Sequence, residues 1–491
     1  MPVTTLFTRA QLGVSAPQVR VETHLSGGLP AFSIVGLPEA AVRESRDRVR
    51  SALINCGFDF PQRRITVNLA PADLPKDGGR FDLPIALGIL AASGQLPATG
   101  LEHLEFLGEL ALSGGLRGIN GVLPAALASA DAGRELLVPE ENAEEASLLR
   151  SPIRAARDLL AVCRHLRGEE VIAPLSWRAP QGAGGSAPCL SEVRGQTQAR
   201  RALEIAAAGG HSLLMSGPPG SGKSMLARRL PGLLPPLIEN QAMEVAAVHS
   251  LTRAREAGDF YEPPFRAPHH TASAVALVGG GSHPRPGEIS LAHHGVLFLD
   301  ELPEFDRKVL EVLREPLETG EVSIARAARQ AVFPARFQLI AAMNPCPCGW
   351  LGDPERGCGY VCEKAKRYQQ KLSGPLLDRI DLHLQVNAVR AEELTGVADG
   401  EPSDIVRARV VRARERQQAR QGSLNAALDG ASLDQQLGDH RDWLAAAMSR
   451  LNMSARALHR LVRVARTIAD LQDEQCIRQE HLREALAYRP Q

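Results

Sequence analysis

The pattern of apolar and polar residues along the chain first separates an amino-terminal block from the rest. Residues 1–170 alternate short apolar runs typical of strands, such as Phe32–Val35 and Arg64–Leu69, with stretches typical of helices, such as Ala41–Ile54 and Leu83–Ala92. Residues 171–188 are rich in Gly, Pro, Ser and Ala, which is the composition of an exposed tether. We therefore predict an α+β domain followed by a linker.

The next block, residues 189–390, has the pattern of a parallel α/β domain. Three short apolar runs, Ser212–Ser216, Val296–Leu299 and Phe337–Ala341, are separated by helical segments. Continuously apolar strands are typical of a sheet that helices cover on both faces. The fold class that we predict for the whole chain is α/β.

The last block, residues 391–491, is predicted to be all helix. Ser403 is placed to cap a helix that carries six arginines, and further helices are expected at about Ser454–Leu471 and Arg478–Ala487. The six arginines spread around the helix instead of forming one stripe, which favours a solvated helix that partly pairs subunits over a DNA-binding one. They are Arg407, Arg409, Arg412, Arg414, Arg416 and Arg420.

Composition narrows the functional classes only a little. The 491 residues are 44% hydrophobic and 23% charged, with a formal net charge of zero, so bulk charge gives no evidence for nucleic-acid binding. A ring can still concentrate positive charge in its pore. There is no long apolar run and the first 20 residues do not resemble a signal peptide, so we expect a cytoplasmic protein without a membrane partner and with reduced cysteines.

A phosphate-binding loop lies between the first apolar strand of the second block and the helix that follows. Its glycines let backbone N–H groups converge on phosphate oxygens, its lysine faces the β- and γ-phosphates, and its last hydroxyl reaches Mg²⁺. The sequence therefore predicts that ATP and Mg²⁺ bind here. The loop consists of Gly217, Pro218, Pro219, Gly220, Ser221, Gly222, Lys223 and Ser224.

The second apolar strand, Val296–Leu299, ends in two acidic residues. Asp300 is expected beside the Mg²⁺ shell together with Ser224, and Glu301 is expected to polarise the attacking water. Phosphoryl transfer depends on positioned charge more than on covalent chemistry, so two adjacent acids at a strand end suffice.

Three further polar residues are candidates for the same reaction. Asn344 follows the third apolar strand, where it either holds the water or the γ-phosphate or is a turn residue. Arg379 either neutralises transition-state charge from a neighbouring subunit or forms a surface salt bridge with Asp378 or Asp381. Arg456, near the start of a helix in the third block, is a second candidate for contact with the γ-phosphate.

Four cysteines lie close together in a Gly- and Pro-rich stretch. A segment of this kind has little core of its own, and four thiolates within it are typical of a small structural Zn²⁺ loop. The alternative is four unrelated thiols, because the spacing is not that of a standard zinc finger. The four are Cys346, Cys348, Cys358 and Cys362.

Longer motifs carry a resemblance to a known family. The stretch Pro264–Ser273, with His269 and His270, is followed by 279–301, with His293 and His294, and together they resemble the magnesium-chelatase-like AAA+ ATPases. Within that class the chain closely resembles the ComM/YifB family over nearly its whole length.

The resemblance implies a homohexameric AAA+ DNA motor that promotes branch migration when transforming DNA is integrated. It implies an arginine-finger role for Arg379, a sensor-2 role for Arg456, a helical lid at the carboxyl end, an insert at about 265–292 and a hairpin at 321–335 that contains Arg326 and Arg329. In related ring helicases such elements touch DNA, so the four histidines either contact phosphates or only pack and cap. A chelatase-like remodeller of a protein partner is the alternative function.

The first block is similar to the proteolytic domain of Lon. Catalysis of that type needs a serine nucleophile activated by a lysine. Arg80 stands where the serine is expected and Ala125 where the lysine is expected, so we predict a catalytically degenerate domain. An ATP-dependent protease is accordingly the third-ranked function.

Overall fold

The first block folds around a seven-stranded mixed sheet. The structure is a computed structural model that describes residues 3–178, 187–252, 257–281, 284–326, 329–351, 358, 363–389, 392 and 400–490. The strand order is β3-β4-β2-β1-β5-β8-β9, and α2 is buried along almost its whole length. The elements are β1 Thr4–Arg9, β2 Gln18–Ser26, β3 Ala31–Val35, α1 Ala40–Asn55, β4 Arg64–Ala70, α2 Asp82–Ala92, β5 Leu104–Phe106, β6 Glu109–Leu110, β7 Leu116–Arg117, α3 Val122–Asp131, β8 Glu135–Pro139, α4 Ala143–Ala146, β9 Ile153–Ala156 and α5 Leu159–Leu166.

The second block contains a five-stranded sheet in the order β11-β14-β17-β10-β18, and each recorded strand pair is parallel. Every residue of β14 and β17 is buried, which explains why these strands are apolar apart from Gln338, whose side-chain amide donates to the Ala206 and His211 carbonyls. The elements are α6 Thr197–Gly209, β10 Leu213–Ser216, α7 Lys223–Ala227, α8 Glu239–Ser250, β11 Phe265–Arg266, α9 Ala274–Val278, β12 Gly279–Gly280, β13 Arg285–Pro286, α10 Glu288–Leu291, β14 Val296–Leu299, α11 Arg307–Glu311, α12 Arg314–Thr319, β15 Glu321–Arg326, β16 Arg329–Pro334, β17 Gln338–Met343, α13 Glu363–Gln369, α14 Gly374–Leu377 and β18 Leu382–Gln385.

The third block is helical, as predicted. Its buried residues, among them Val410, Leu444 and Ile468, share one hydrophobic core with the parallel sheet of the second block. The helices are α15 Ser403–Gln421, α16 Gly430–Leu437, α17 Arg441–Leu451, α18 Ala455–Leu471 and α19 Gln479–Leu486.

Several local predictions need correction. The third apolar strand continues two residues beyond the predicted end and reaches Met343. Ser403 is the first residue of α15 and does not cap it; its hydroxyl accepts a hydrogen bond from the Leu190 amide instead, at 2.7 Å. Residues 171–178, predicted as part of an exposed tether, are mostly exposed, but they are also anchored to the first block, where the Leu175 amide donates to the Ile153 carbonyl at 2.7 Å. Residues 179–186 lie outside the described part of the chain.

The arginine-rich helix α15 also differs from its prediction. Arg409 forms an ion pair with Glu204 on α6 at 2.6 Å, and Arg414 donates to the Ala207 carbonyl at 2.6 Å. Burial lowers the pKa of Arg414 to about 10. This side of the helix is therefore packed against the second block and is not solvated, because the polar groups at the end of α6 accept its arginines.

Candidate nucleotide site and the arginine cavity

The phosphate loop is shaped by its glycines. An added Cβ on Gly217 would lie 2.1 Å from the Val386 carbonyl oxygen, so the backbone passes β18 too closely for any side chain. Gly220 and Gly222 have φ values of 75° and 85°, in the left-handed region that glycine adopts without strain. Residues 217–222 thus connect β10 to α7 in one tight turn.

Lys223 is held at the centre of this loop. Its Nζ donates to the carbonyl oxygens of Gly217 and Pro218 at 2.7 and 2.8 Å, and to Asn344 Oδ1 at 3.2 Å. Burial lowers the pKa of the ammonium group, whereas the negative charges of Asp300 and Glu301 raise it. The lysine therefore joins the phosphate loop to Asn344 at the end of β17.

The acidic pair lies beside the loop, as β14 delivers it. Ser224 Oγ donates to Asp300 Oδ2 at 2.5 Å, which brings together two of the oxygen ligands that Mg²⁺ prefers. Glu301 has a φ of 52°, an uncommon value for a non-glycine residue. Its Oε2 lies 3.1 Å from Nδ1 of His270, which follows β11.

One pocket of about 380 Å³ brings most of the predicted nucleotide-site residues together. It is lined by Pro219, Gly220, Gly222, Lys223, Ser224, Asp300, Glu301 and Asn344, with Met225 and Met343. The other loop residues lie beneath this lining, and Ser221 is almost fully buried. The donors and oxygens present suit a nucleoside triphosphate with Mg²⁺.

Arg379 and Arg456 are not part of that pocket. Both line a separate cavity of about 800 Å³ between α12, the segment that follows α14, and α18. Arg379 Nη1 donates to the Pro375 carbonyl at 2.6 Å, and its Nη2 pairs with Glu318, so the predicted salt bridge with Asp378 or Asp381 is not the one formed. Within one chain, the structure does not bring these arginines to the phosphate loop.

Arg460 is a residue of the same cavity that the sequence analysis missed. Its Nη1 donates to the carbonyl oxygens of Leu377 and Ile380 at 3.0 and 3.1 Å. These two residues flank Arg379 along the chain. Its Nη2 lies 3.5 Å from Asp378. Arg460 follows Arg456 by four residues, one helical turn along α18, and that spacing is the signal that would have found it.

The four histidines divide into two pairs with different surroundings. His293 and His294 both contact Glu244 Oε2, at 3.0 and 2.8 Å, and His293 is buried. His293 Nδ1 accepts from the Arg336 amide, and burial lowers its pKa to about 4. His293 therefore packs, and it is not available to DNA. His269 and His270 stack with ring centroids 4.1 Å apart, near Glu301.

Three of the four cysteines meet next to the nucleotide pocket. The sulfur of Cys348 lies 3.0 Å from that of Cys346 and 3.5 Å from that of Cys358, and the third distance is 3.8 Å. Thiolates bound to a tetrahedral Zn²⁺ at about 2.3 Å are roughly 3.8 Å apart. Hydrogen bonding with Cys346 lowers the pKa of Cys348 to about 7. The predicted fourth ligand, Cys362, lies outside the described residues.

The two elements that the resemblance implies as DNA contacts each contain a hairpin. Residues 265–292 contain the short hairpin β12–β13 between α9 and α10. The predicted hairpin at 321–335 is confirmed as the antiparallel pair β15–β16, in which Arg326 stands opposite Arg329.

The sheet order, the phosphate loop at the end of β10 and the acidic pair at the end of β14 define a P-loop nucleotide-binding protein of the AAA+ class. Family models agree: "Magnesium chelatase, subunit ChlI" matches residues 189–394, "Subunit ChlI of Mg-chelatase" matches 21–142, and the model of the ChlI carboxyl-terminal part matches 400–489.

Full-length relatives specify the family further. The chain is 51% identical to the competence protein ComM of Haemophilus influenzae, covering 100% of this chain and 98% of that protein. It is 48% identical to YifB of Escherichia coli, covering 100% of this chain and 97% of that protein. The chloroplastic magnesium-chelatase subunit ChlI of Oryza sativa subsp. indica is 31% identical over only 24% of this chain and 23% of its own length. The chain belongs to the ComM/YifB family of magnesium-chelatase-like AAA+ ATPases. Across the described residues, the helices are too short or too polar to cross a bilayer.

Proposed function

We propose that the protein is an ATP-dependent homohexameric DNA translocase that promotes branch migration during recombination of incoming DNA, in the cytoplasm. The observation that carries the proposal is the separation of the two halves of the site. The phosphate-loop pocket contains Lys223 and both acids, whereas Arg379 and Arg456 line another cavity of the same chain. A ring would place the arginines of one copy against the nucleotide of the next.

Each residue of the pocket has a role in ATP hydrolysis under this proposal. Backbone N–H groups of the phosphate loop and Lys223 hold the phosphates, and the oxygens of Ser224 and Asp300 hold Mg²⁺. Bound Mg²⁺ supplies charge neutralisation at the phosphates. Glu301 orients and polarises the attacking water, and Asn344 holds that water or the γ-phosphate. Arg379 and Arg456 neutralise developing charge from the neighbouring subunit.

Support for DNA as the substrate comes from the family and from the hairpins. One relative at 51% identity is named a competence protein. The hairpin β15–β16 carries Arg326 and Arg329 where its two strands join, and cations there would contact phosphates without reading sequence. A protein partner is the alternative substrate, since the same nucleotide site would serve a remodeller.

The cysteine cluster supports a structural Zn²⁺ ion as a further part of the proposal. Cys346, Cys348 and Cys358 offer three sulfurs within 4.8 Å of one another. Gly349 has a φ of 85°, and an added Cβ there would lie 2.5 Å from Pro219 Cδ, so this segment rests on the phosphate loop. The metal would therefore order the segment that follows Asn344, next to the nucleotide.

Steady-state ATPase measurements test the proposal directly. Turnover would be compared without nucleic acid and with single-stranded DNA, duplex DNA or a four-way junction, using Glu301→Gln as the blank. We expect DNA to stimulate hydrolysis, most strongly in branched or single-stranded form. Turnover that ignores every DNA would contradict the translocase proposal and favour the remodeller.

A further inference from the structure

Buried polar contacts connect three segments of the first block at the place where the resemblance to Lon would put a catalytic serine. Arg80, at the position expected for a serine nucleophile, is buried, and burial lowers its pKa to about 10. Its Nη2 donates to Gln11 Oε1 and to the Asn120 carbonyl, each at 2.6 Å. Ala125, at the position expected for a lysine, is fully buried. The arginine thus ties together two segments that are far apart in sequence.

The segment that contains Asn120 contacts the end of α8 in the second block. The amides of Gly121 and Leu123 donate to the carbonyl and hydroxyl oxygens of Ser250, the last residue of α8, at 2.8 and 3.3 Å. The contact captures the carboxyl end of the helix, where carbonyl and hydroxyl acceptors need partners. Leu123 also belongs to an apolar cluster with Val245 and Phe260.

The segment that contains Gln11 contacts the hairpin β15–β16. Gln11 and Gly13 lie in the turn between β1 and β2, and Gly13 has a φ of 59°. An added Cβ on Gly13 would lie 3.2 Å from the Val332 carbonyl oxygen and 3.4 Å from Ala331 Cβ, so the turn touches the hairpin backbone. Val14, the next residue, packs against the core cluster that contains Phe333.

We propose that the first block acts as a brace on the motor, in which the contacts around Arg80 form a docking joint that fixes α8 and the hairpin β15–β16 relative to each other. Arg80 is the positioning residue of this joint, because one of its nitrogens serves both docking segments. The first block would then determine how a force on the hairpin β15–β16 is transmitted to the rest of the second block. Only this last consequence rests on the proposed function; the docking joint itself does not.

Amide hydrogen exchange on the full-length protein tests the joint without DNA. Arg80→Ala leaves Gln11 and the Asn120 carbonyl without their buried donor, so both docked elements should open more often. We expect exchange in 239–250 and 321–334 to accelerate on the order of tenfold, while β10 and β17 stay protected. Arg80→Lys should restore part of the protection. Arg117→Ala, an exposed arginine of the same block, is the matched control.

Two milder variants separate the contacts in case Arg80→Ala does not fold. Ser250→Ala removes the hydroxyl that accepts from Leu123 and bonds to the Glu145 carboxyl, and should accelerate exchange in 239–250 more than in the hairpin. Gly13→Ala introduces a side chain against Val332 and should have the opposite preference. Unchanged exchange at both elements in folded variants would overturn the brace.

ATPase assays then connect the joint to the motor. Arg80→Ala should keep basal turnover within about twofold, since Arg80 does not line the nucleotide pocket, and should lose most of any stimulation by single-stranded DNA. If the wild type shows no stimulation, the translocase proposal fails, and the exchange experiment still decides the joint. Full stimulation in Arg80→Ala, together with faster exchange, would show a docking contact without a coupling role and would overturn that part of the proposal.

Discussion

The phosphate-loop pocket and the arginine cavity differ in which charges they offer. The pocket surrounds one cation, Lys223, with Asp300 and Glu301, so it has acceptors for a metal and a base for water. The cavity is lined by more cations than anions. Its six arginines are Arg336, Arg379, Arg414, Arg456, Arg460 and Arg463, and its four acids are Glu318, Asp378, Asp381 and Asp429. Neither set alone matches a triphosphate in its transition state, which carries more negative charge than one lysine neutralises. In the proposed ring, the pocket of one copy and the arginines of the next would therefore complement each other.

Removing the cation of the pocket should have the largest effect. Lys223→Ala loses the ammonium group that joins the loop to Asn344 and faces the phosphates, so we expect ATP turnover to fall on the order of a thousandfold or more. Nucleotide binding, measured with a fluorescent ATP analogue, should weaken as well. Lys308→Ala on α11, outside the pocket, is the control, and wild-type turnover in Lys223→Ala would remove the pocket from the reaction.

Substituting Arg379 in one variant and Glu301 in another tests whether these two residues act together across a subunit interface. Arg379→Ala should bind ATP normally yet lose turnover by about 10³-fold, because the finger acts on the neighbouring nucleotide. Glu301→Gln should bind ATP without hydrolysing it. Rings mixed from the two variants contain some interfaces with both native residues, so part of the activity should return.

The control for this mixture is Arg367→Ala, whose side chain is 81% exposed on α13. It should hydrolyse ATP at the wild-type rate by itself. If gel filtration shows mixed assemblies and the mixture of the Arg379 and Glu301 variants still remains inactive, the two residues do not act together across a subunit interface.

The sequence predicted the phosphate-loop pocket far better than the cavity. The pocket is encoded by contiguous motifs at strand ends, and parallel strands place their carboxyl ends at one edge, so its geometry follows from the order of elements. Arg379 and Arg456 could be named as candidates from the residues, but their finger and sensor roles came only from the family resemblance. Helical spacing from Arg456 could have placed Arg460 on the same face of α18, but its supporting role could not be predicted, because its partners are the backbone carbonyls of Leu377 and Ile380.

The packing between blocks was equally hard to predict. Composition at residues 171–178 indicates an exposed tether, and most of these residues are exposed, but composition does not show that the backbone also bonds to the first block. The arginines of α15 have the pattern of a solvated helix, but Glu204 and the Ala207 carbonyl on α6 accept two of them. Long-range acceptors of this kind depend on the tertiary arrangement, and helical periodicity does not contain them.

A moderate loss of ATP turnover is expected from removing Arg460, which supports the cavity wall from α18. Arg460→Ala removes the donors that hold the backbone on both sides of Arg379, so the finger should lose its fixed position. We expect turnover to fall about tenfold with little change in ATP affinity, because the phosphate loop is untouched. Steady-state measurements of kcat and of KM for ATP separate the effect on turnover from an effect on ATP affinity. Arg450→Ala on α17 is the control. A change in KM alone would contradict this positioning role.

The smallest effect on turnover is expected from the cysteine cluster, which supports the pocket from outside. Cys348→Ser removes one of the three described sulfurs, so the purified protein should lose its zinc, measured by elemental analysis. Its thermal unfolding midpoint should fall, and turnover should drop by only about two- to threefold, because Gly349 still rests on Pro219. Cys476→Ser, an exposed cysteine elsewhere, should keep both the metal and the stability. Wild-type protein without zinc would contradict the metal site, while zinc loss with unchanged turnover would separate this cluster from the nucleotide pocket.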